Sequence, residues 1–236
     1  MEYEDKLSID EVLGNYRAVK EMLYNDSGGK CRLLLATKTV SPEQINRVAE
    51  EFGHILIGEN RVQELCDKYE RLNKERMSLH FIGYLQTNKV KQIIDKVEMI
   101  HSVDRQALAE EIDKRAREKG IVMDVLCEIN IGREAEKGGV LPEQAEEFCR
   151  LLSELPNLRL RGIMTMAPKL ANENGYVPYF EETKQIYERI RVRATYGDAF
   201  DTLSMGMSDS YRVAARCGSN LVRVGGAIFG RRIYPV

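Results

Sequence analysis

No two cysteines of this chain form a C-x-x-C pair. The five that occur, Cys31, Cys66, Cys127, Cys149 and Cys217, are odd in number and widely spaced. That usage argues against a disulfide framework or a zinc site and suits a reducing cytoplasm. Histidine is scarce too: His54, His80 and His101 lie near expected strands without metal-ligand spacing and read as structural. An excess of one charge is missing, since 35 Lys and Arg face 37 Asp and Glu for a net charge of −2. Nothing therefore pulls the whole chain toward nucleic acid or an acidic membrane. The basic run at 189–193 reads as the solvated face of a helix. No apolar stretch approaches a membrane span. The N-terminal Met1-Glu2-Tyr3-Glu4-Asp5 is acidic and lacks an apolar export core. Internal repeats, low-complexity segments and linkers are absent as well.

What is present is a regular alternation. The 236 residues are 43% apolar, enough for a substantial core. Ser8-Ile9-Asp10-Glu11 fits a capping box, and Val12, Tyr16, Val19 and Leu23 follow at helical spacing. Asn25-Asp26-Ser27-Gly28-Gly29 ends that helix. The first strand then runs from Arg32 to Lys38, and Ser41-Pro42-Glu43-Gln44 starts another helix. Further apolar runs stand at 54–58, 79–82, 99–101, 123–130, 158–163, 202–204 and 221–224. Helical patterns at 62–72, 105–119, 142–155 and 180–195 separate most of them. Non-alternating strands interleaved with helices imply a parallel sheet, and about eight such units imply a barrel. The expectation is an α/β fold: one (β/α)8 barrel of TIM type with an additional N-terminal helix, a single domain over 1–236. An open doubly wound sheet would want a Gly-rich phosphate loop after its first strand, and Thr37-Lys38-Thr39 is no such loop. The segment 168–178 is a candidate flap or an ordinary surface loop.

The chemistry concentrates at expected strand ends. Lys38 closes the first apolar run, where partial desolvation favours a neutral amine able to form a Schiff base with an aldehyde. A lysine that simply reaches solvent is the plain alternative. Near the C-terminus, Leu203 to Ser210 and Leu221 to Gly230 each join a short strand to small residues. Ser208 and the backbone N–H groups of Gly225 and Gly226 form a phosphate site of the kind that barrels place after strands 7 and 8. Ser208 also reads as a helix N-cap for Asp209 onward, and the Gly pair as a tight barrel corner. Arg223 shares a strand face with Gly225, and an inward Arg needs an acceptor, either a ligand or a buried carboxylate. Asn60 ends Ile57-Gly58-Glu59-Asn60, where a ligand contact and a turn role are equally open. Met164, Met166, Met205 and Met207 read as core filler. A ligand with both an aldehyde and a phosphate describes pyridoxal 5′-phosphate.

These and other motifs resemble one family. Ala36-Thr37-Lys38-Thr39, Ile57-Gly58-Glu59-Asn60, His80-Phe81-Ile82-Gly83, Leu85-Gln86, Asn88-Lys89, Lys137-Gly138-Gly139, Gly162-Ile163-Met164-Thr165-Met166-Ala167-Pro168, Leu203-Ser204-Met205-Gly206-Met207-Ser208-Asp209 and Arg223-Val224-Gly225 are similar to the pyridoxal-phosphate homeostasis proteins. The likeness runs from Leu13 to Gly230. It implies the barrel of the alanine racemases, pyridoxal 5′-phosphate on Lys38, and Arg223 against the pyridine nitrogen. Two positions depart from it. Tyr84 stands where a histidine is usual, and Gly226 where a threonine is common.

Three functions compete on this reading: a pyridoxal-phosphate carrier in vitamin B6 homeostasis, an amino-acid racemase using the same cofactor, and a Schiff-base aldolase. A racemase needs a base on each face of the reacting carbon, and the sequence names only Lys38. The chain ends soon after the expected barrel, so the second domain of the racemases is not expected. The carrier reading, without evident turnover, is the expectation. Its partners would be the cofactor and apo-enzymes that use it, with no nucleic acid and no membrane, acting as a cytoplasmic monomer.

Overall fold

Short apolar runs that do not alternate become strands covered on both faces. The computed structural model describes Tyr3, residues 5–193 and residues 199–230. Eight strands form: β1 (Arg32–Ala36), β2 (Ile55–Glu59), β3 (Met77–Phe81), β4 (Met99–Val103), β5 (Met123–Ile129), β6 (Leu158–Thr165), β7 (Thr202–Ser204) and β8 (Leu221–Val224). They pair in chain order, all parallel, and β8 closes on β1 with Leu34 opposite Arg223. This is the expected barrel.

Its outer wall is α1 (Ile9–Ser27), α2 (Pro42–Phe52), α3 (Val62–Tyr69), α4 (Val90–Ile93), α5 (Gln106–Lys119), α6 (Ala145–Ser153), α7 (Val177–Arg193), α8 (Tyr211–Arg216) and α9 (Gly226–Phe229). The capping box of α1 is formed: the Ser8 N–H donates to Glu11 Oε2 at 2.9 Å, and the Glu11 N–H donates to Ser8 Oγ at 3.4 Å. Val12, Tyr16, Val19 and Leu23 are buried, as their spacing implied. The additional helix has a clear task. The four-residue α9 is too short to cover the wall after β8, and α1 packs on α8, α9 and α2 at that seam.

Boundaries moved where local signals were weak. β1 stops at Ala36, so Lys38 lies in the turn beyond it rather than in the strand. The helix expected at 142–155 opens with a 3-10 turn, Pro142–Gln144, before α6. α4, with four residues, is too short to show a helical period. α7 begins earlier than expected because the 3-10 turn Glu173–Tyr176 winds into it, and its expected end at 195 lies outside the described residues. The segment 168–178 is tied down: Tyr176 is buried, and its hydroxyl accepts the Leu170 N–H at 3.1 Å.

Successive strand residues face alternately out to the helices and into the barrel. Leu35, Val222, Val224, Ile100 and Ile163 join the large cluster between strands and helices. Leu34, Ile82 and Leu221 form one small interior cluster, and Met99, Leu126 and Met164 form another. Ala36 and Leu56 pack against the first of these, and polar side chains share the interior. His80 Nδ1 and His101 Nε2 lie 2.9 Å apart, both rings buried. Burial holds His80 down at about 4, and burial with the neighbouring His80 holds His101 well below the usual imidazole range. His54 Nε2 lies 3.0 Å from Ser78 Oγ. Among the described residues no cluster of His, Cys, Asp and Glu could hold a metal ion, and no helix is long and apolar enough to cross a membrane. The five cysteines are free thiols.

Candidate ligand site at the barrel mouth

Lys38, Asn60, Ser208, Arg223, Gly225 and Gly226 line one cavity of about 510 Å³ at the C-terminal ends of the strands. Residues from β1, β2, β7 and β8, distant in sequence, meet because the barrel closes β8 onto β1. The volume falls within the range of about 300–1,000 Å³ usual for small-molecule sites.

Lys38 follows Ala36 by two residues and is half-buried. Its neighbour Thr39 has φ of +66°, in the left-handed region that β-branched residues avoid. Asn60 follows β2 directly.

Ser208 does not cap a helix of its own. α8 begins at Tyr211 with Ser210 in the N-cap position, which corrects the N-cap reading of Ser208. Its Oγ instead accepts the N–H groups of Gly225 and Ala227, each at 3.2 Å. A hydroxyl oxygen has two lone pairs and one proton. With both lone pairs engaged, the proton is left to donate to something else in the cavity that Ser208 lines. The Gly225 N–H is thus spent on Ser208 rather than offered to a ligand, which departs from the direct phosphate contact expected for it. Gly225 is needed for another reason: a Cβ there would stand 2.7 Å from the Ala36 carbonyl oxygen.

Arg223 is buried on the inner face of β8. Nη1 donates to Ser204 Oγ at 2.6 Å and Nη2 to the Thr165 carbonyl at 2.9 Å. Among the described residues it forms no ion pair, so the alternative of a buried carboxylate partner is not what the fold built. Burial lowers its affinity for the proton to about 10, against the opposing pull of Glu128. Glu128, inside β5, is itself pushed up to about 7, first by burial and then by Asp104.

The sequence reading missed part of the lining. Lys6, Lys169 and Asp209 also border the cavity, so Lys38 is not its sole titratable side chain. Lys169 could have been found, since it follows Met166-Ala167-Pro168 at the end of β6. Lys6 carried no local signal, because the segment before α1 reaches the mouth only after folding. There the Ser41 N–H donates to Asp5 Oδ1 at 3.0 Å, and Gln44 Nε2 donates to the Leu7 carbonyl at 2.9 Å. Met166 and Met207 border the cavity as exposed rim residues, not core filler, whereas Met164 and Met205 are buried as expected. Tyr84 lies outside the lining, exposed, with the Arg105 guanidinium 5.0 Å from its ring.

Comparison with known proteins agrees with this fold. Residues 7–233 match the family model of the alanine racemase N-terminal domain. A pyridoxal phosphate homeostasis protein of Aquifex aeolicus is 47% identical over 208 residues, 88% of this chain and 90% of that protein. The pyridoxal phosphate homeostasis protein of Escherichia coli K12 is 36% identical over 204 residues, covering 85% and 86%. The solved structure of PipY from Synechococcus elongatus with PLP bound superposes with a TM-score of 0.82 at 26% identity, over 93% of this chain and all of PipY. A barrel closed from β1 to β8, a lysine just past β1 and a serine–glycine corner after β7 and β8 are set in a chain with relatives this close. The chain belongs to the pyridoxal phosphate homeostasis protein family, built on the alanine racemase N-terminal domain.

Proposed function

We propose that this chain binds pyridoxal 5′-phosphate in the barrel-mouth cavity and serves vitamin B6 homeostasis as a carrier, with no useful turnover of amino acids. The observation that carries the reading is the meeting of an amine, Lys38, and an anion-donor corner, Ser208 with Gly225-Gly226, in one cavity of suitable volume. The residues fit the group. Gly225 leaves no side chain between the corner and β1, and the Ser208 hydroxyl keeps a proton to donate. Bound there, the cofactor supplies an aldehyde that an amine captures covalently and reversibly.

The protein's own groups then divide the work. Lys38 presents the amine. Ser208 and the Gly226 N–H hold the phosphate, helped by the charge of Lys6 and Lys169 at the rim. Asn60 borders the ring. Arg223 can only donate, so a ring nitrogen facing it stays unprotonated, which weakens the electron sink on which carbanion chemistry depends. The related racemases tolerate such an arginine, so that point alone does not exclude racemisation; the names of the relatives favour a carrier. The carrier is a cytoplasmic monomer that passes its cargo to apo-enzymes.

Borohydride reduction of the purified, cofactor-loaded protein followed by peptide mapping tests the site. A pyridoxyl label on Lys38 is expected, and a label mainly on Lys6, Lys169, Lys89 or Lys137 overturns the assignment. Incubation with single L-amino acids tests the carrier reading. Loss of chirality, or keto-acid formation, that disappears in Lys38→Ala would make the chain an enzyme. Silence, with transfer of cofactor to an added apo-enzyme, supports the carrier.

A further inference from the structure

Behind the Lys38 turn lies a buried charge cluster that the ligand-binding reading leaves unused. Lys68 on α3, Glu59 at the end of β2 and Glu64 on α3 are each fully buried. A buried lysine with no role is costly, because an ammonium removed from water must recover its hydration from protein acceptors. Lys68 recovers all of it. Its three protons go to the Thr37 carbonyl at 2.7 Å, Glu59 Oε1 at 2.8 Å and Glu64 Oε1 at 2.7 Å. An ammonium has three donors, so Lys68 is saturated.

The acceptors also reach the turn. Glu59 Oε1 accepts the Thr37 hydroxyl at 2.7 Å. Glu64 Oε1 accepts the Thr39 N–H. Lys68, Glu59 and Glu64 therefore grip Thr37 by its carbonyl and hydroxyl, and Thr39 by its N–H. These two residues bracket Lys38. Thr39 is also the residue at φ +66°, one of two positive-φ non-glycine residues among those described. Such a conformation is strained and persists only where surrounding contacts impose it. Here the Val40 N–H closes the turn onto the Thr37 carbonyl at 3.0 Å, and the Glu64 carboxylate holds the Thr39 N–H. The cluster is over-supplied with acceptors: among the described residues, Glu59 Oε2 and Glu64 Oε2 are buried without a hydrogen-bond partner. Core packing alone does not call for two carboxylates against one lysine.

We infer that Glu59, Glu64 and Lys68 are positioning residues: a buried clamp that fixes the Thr37-Lys38-Thr39 turn and thereby aims the Lys38 amine into the cavity. They touch no ligand and act through the backbone on either side of Lys38. The inference rests on the proposal that Lys38 is the attachment lysine. It adds that the rate of covalent capture is set by a cluster outside the cavity. α3 carries two members of the clamp and so does more than cover the barrel wall.

The test separates covalent capture from binding. Pyridoxal 5′-phosphate reports both. Its 4′-deoxy analogue has no aldehyde and reports binding alone. Glu64→Ala deletes the acceptor of the Thr39 N–H. It should slow growth of the borohydride-reducible visible band tenfold or more, with analogue affinity changed less than twofold. Glu64→Gln keeps an acceptor oxygen and should recover most of the wild-type rate. Equal losses of capture rate and analogue affinity, an unchanged rate in Glu64→Ala, or no recovery in Glu64→Gln each overturns the clamp. Where Glu64→Ala does not fold, Thr37→Val replaces it. That change keeps the shape, removes the hydroxyl with its bonds to Glu59 and to the Gly58 carbonyl, and must show the same split between capture and binding. Failure of the underlying reading looks different: wild-type protein would form no reducible band at Lys38 at all.

Discussion

The Ser208 hydroxyl oxygen lies 3.2 Å from the Gly225 amide nitrogen, tying the loop after β7 to the loop after β8. One side chain that lines the cavity thus sets the spacing of two strand ends. Loss of that hydroxyl frees two backbone N–H groups together and, on the proposed function, removes a ligand donor.

Ser208→Ala should weaken pyridoxal 5′-phosphate binding by about 1.5–3 kcal/mol, the range for a hydrogen bond to a charged group. Pyridoxal without phosphate should bind weakly to the wild type and lose little further in the variant. Titration of both vitamers against both proteins checks this. An equal loss for pyridoxal would mean that Ser208 serves the fold and not the phosphate.

Gly225→Ala should destabilise the barrel whether or not a ligand is present, because the new methyl would stand 2.7 Å from the Ala36 carbonyl oxygen. Overpacking of this kind costs about 1–3 kcal/mol. For a chain of this length that lowers Tm by roughly 2–4 °C per kcal/mol. A thermal melt of the ligand-free variant with unchanged Tm would contradict the close approach.

Acid should unfold the protein through its buried imidazoles. His80 is held at about 4 in the fold against 6.5 for an ordinary imidazole, and His101 is lowered too. The unfolded chain therefore binds more protons between those values, and stability must fall as pH drops from 6.5 toward 4. His80 alone supplies on the order of 3 kcal/mol across that window. Glu128 acts with the opposite sign. Its carboxyl is raised to about 7, so the fold binds the extra proton, and stability is lost as pH rises from 4.5 through 7. Tm measured from pH 4 to 8 should rise steeply out of acid in the wild type. Glu128→Gln should gain Tm mainly above pH 7. A variant whose Tm rises equally at pH 4.5 and pH 8 would remove Glu128 from this account.

Tyr84→His restores the side chain usual in the family and should leave pyridoxal 5′-phosphate affinity within about twofold. Tyr84 is exposed against Arg105 and outside the cavity lining. A larger change in affinity would show that the rim beyond the cavity contributes to binding.

Much of this protein was legible in its residues. β1 through β8 were marked by apolar runs because a parallel strand covered on both faces must be apolar without alternation. α1 was marked by its capping box and the spacing of Val12, Tyr16, Val19 and Leu23. That Lys38, Asn60, Ser208, Arg223, Gly225 and Gly226 share one cavity was legible because each lies in a short motif just past or at the end of a strand. α4 and the early start of α7 were not, since three or four residues of helix show no period.

The sequence by itself determined the order of strands and helices, and which strand ends carry an amine, a guanidinium and small anion donors. Only the tertiary structure decided how those groups are spent. Barrel closure brings Ser208 onto the Gly225 and Ala227 N–H groups, gives Arg223 to Ser204 and Thr165, and seats Lys68 beneath the Lys38 turn. Each pairing joins residues from different elements, and a hydrogen bond depends on distances of a few tenths of an ångström. Local sequence patterns encode period and polarity along one element. The separation between two elements is set by the packing of all the others.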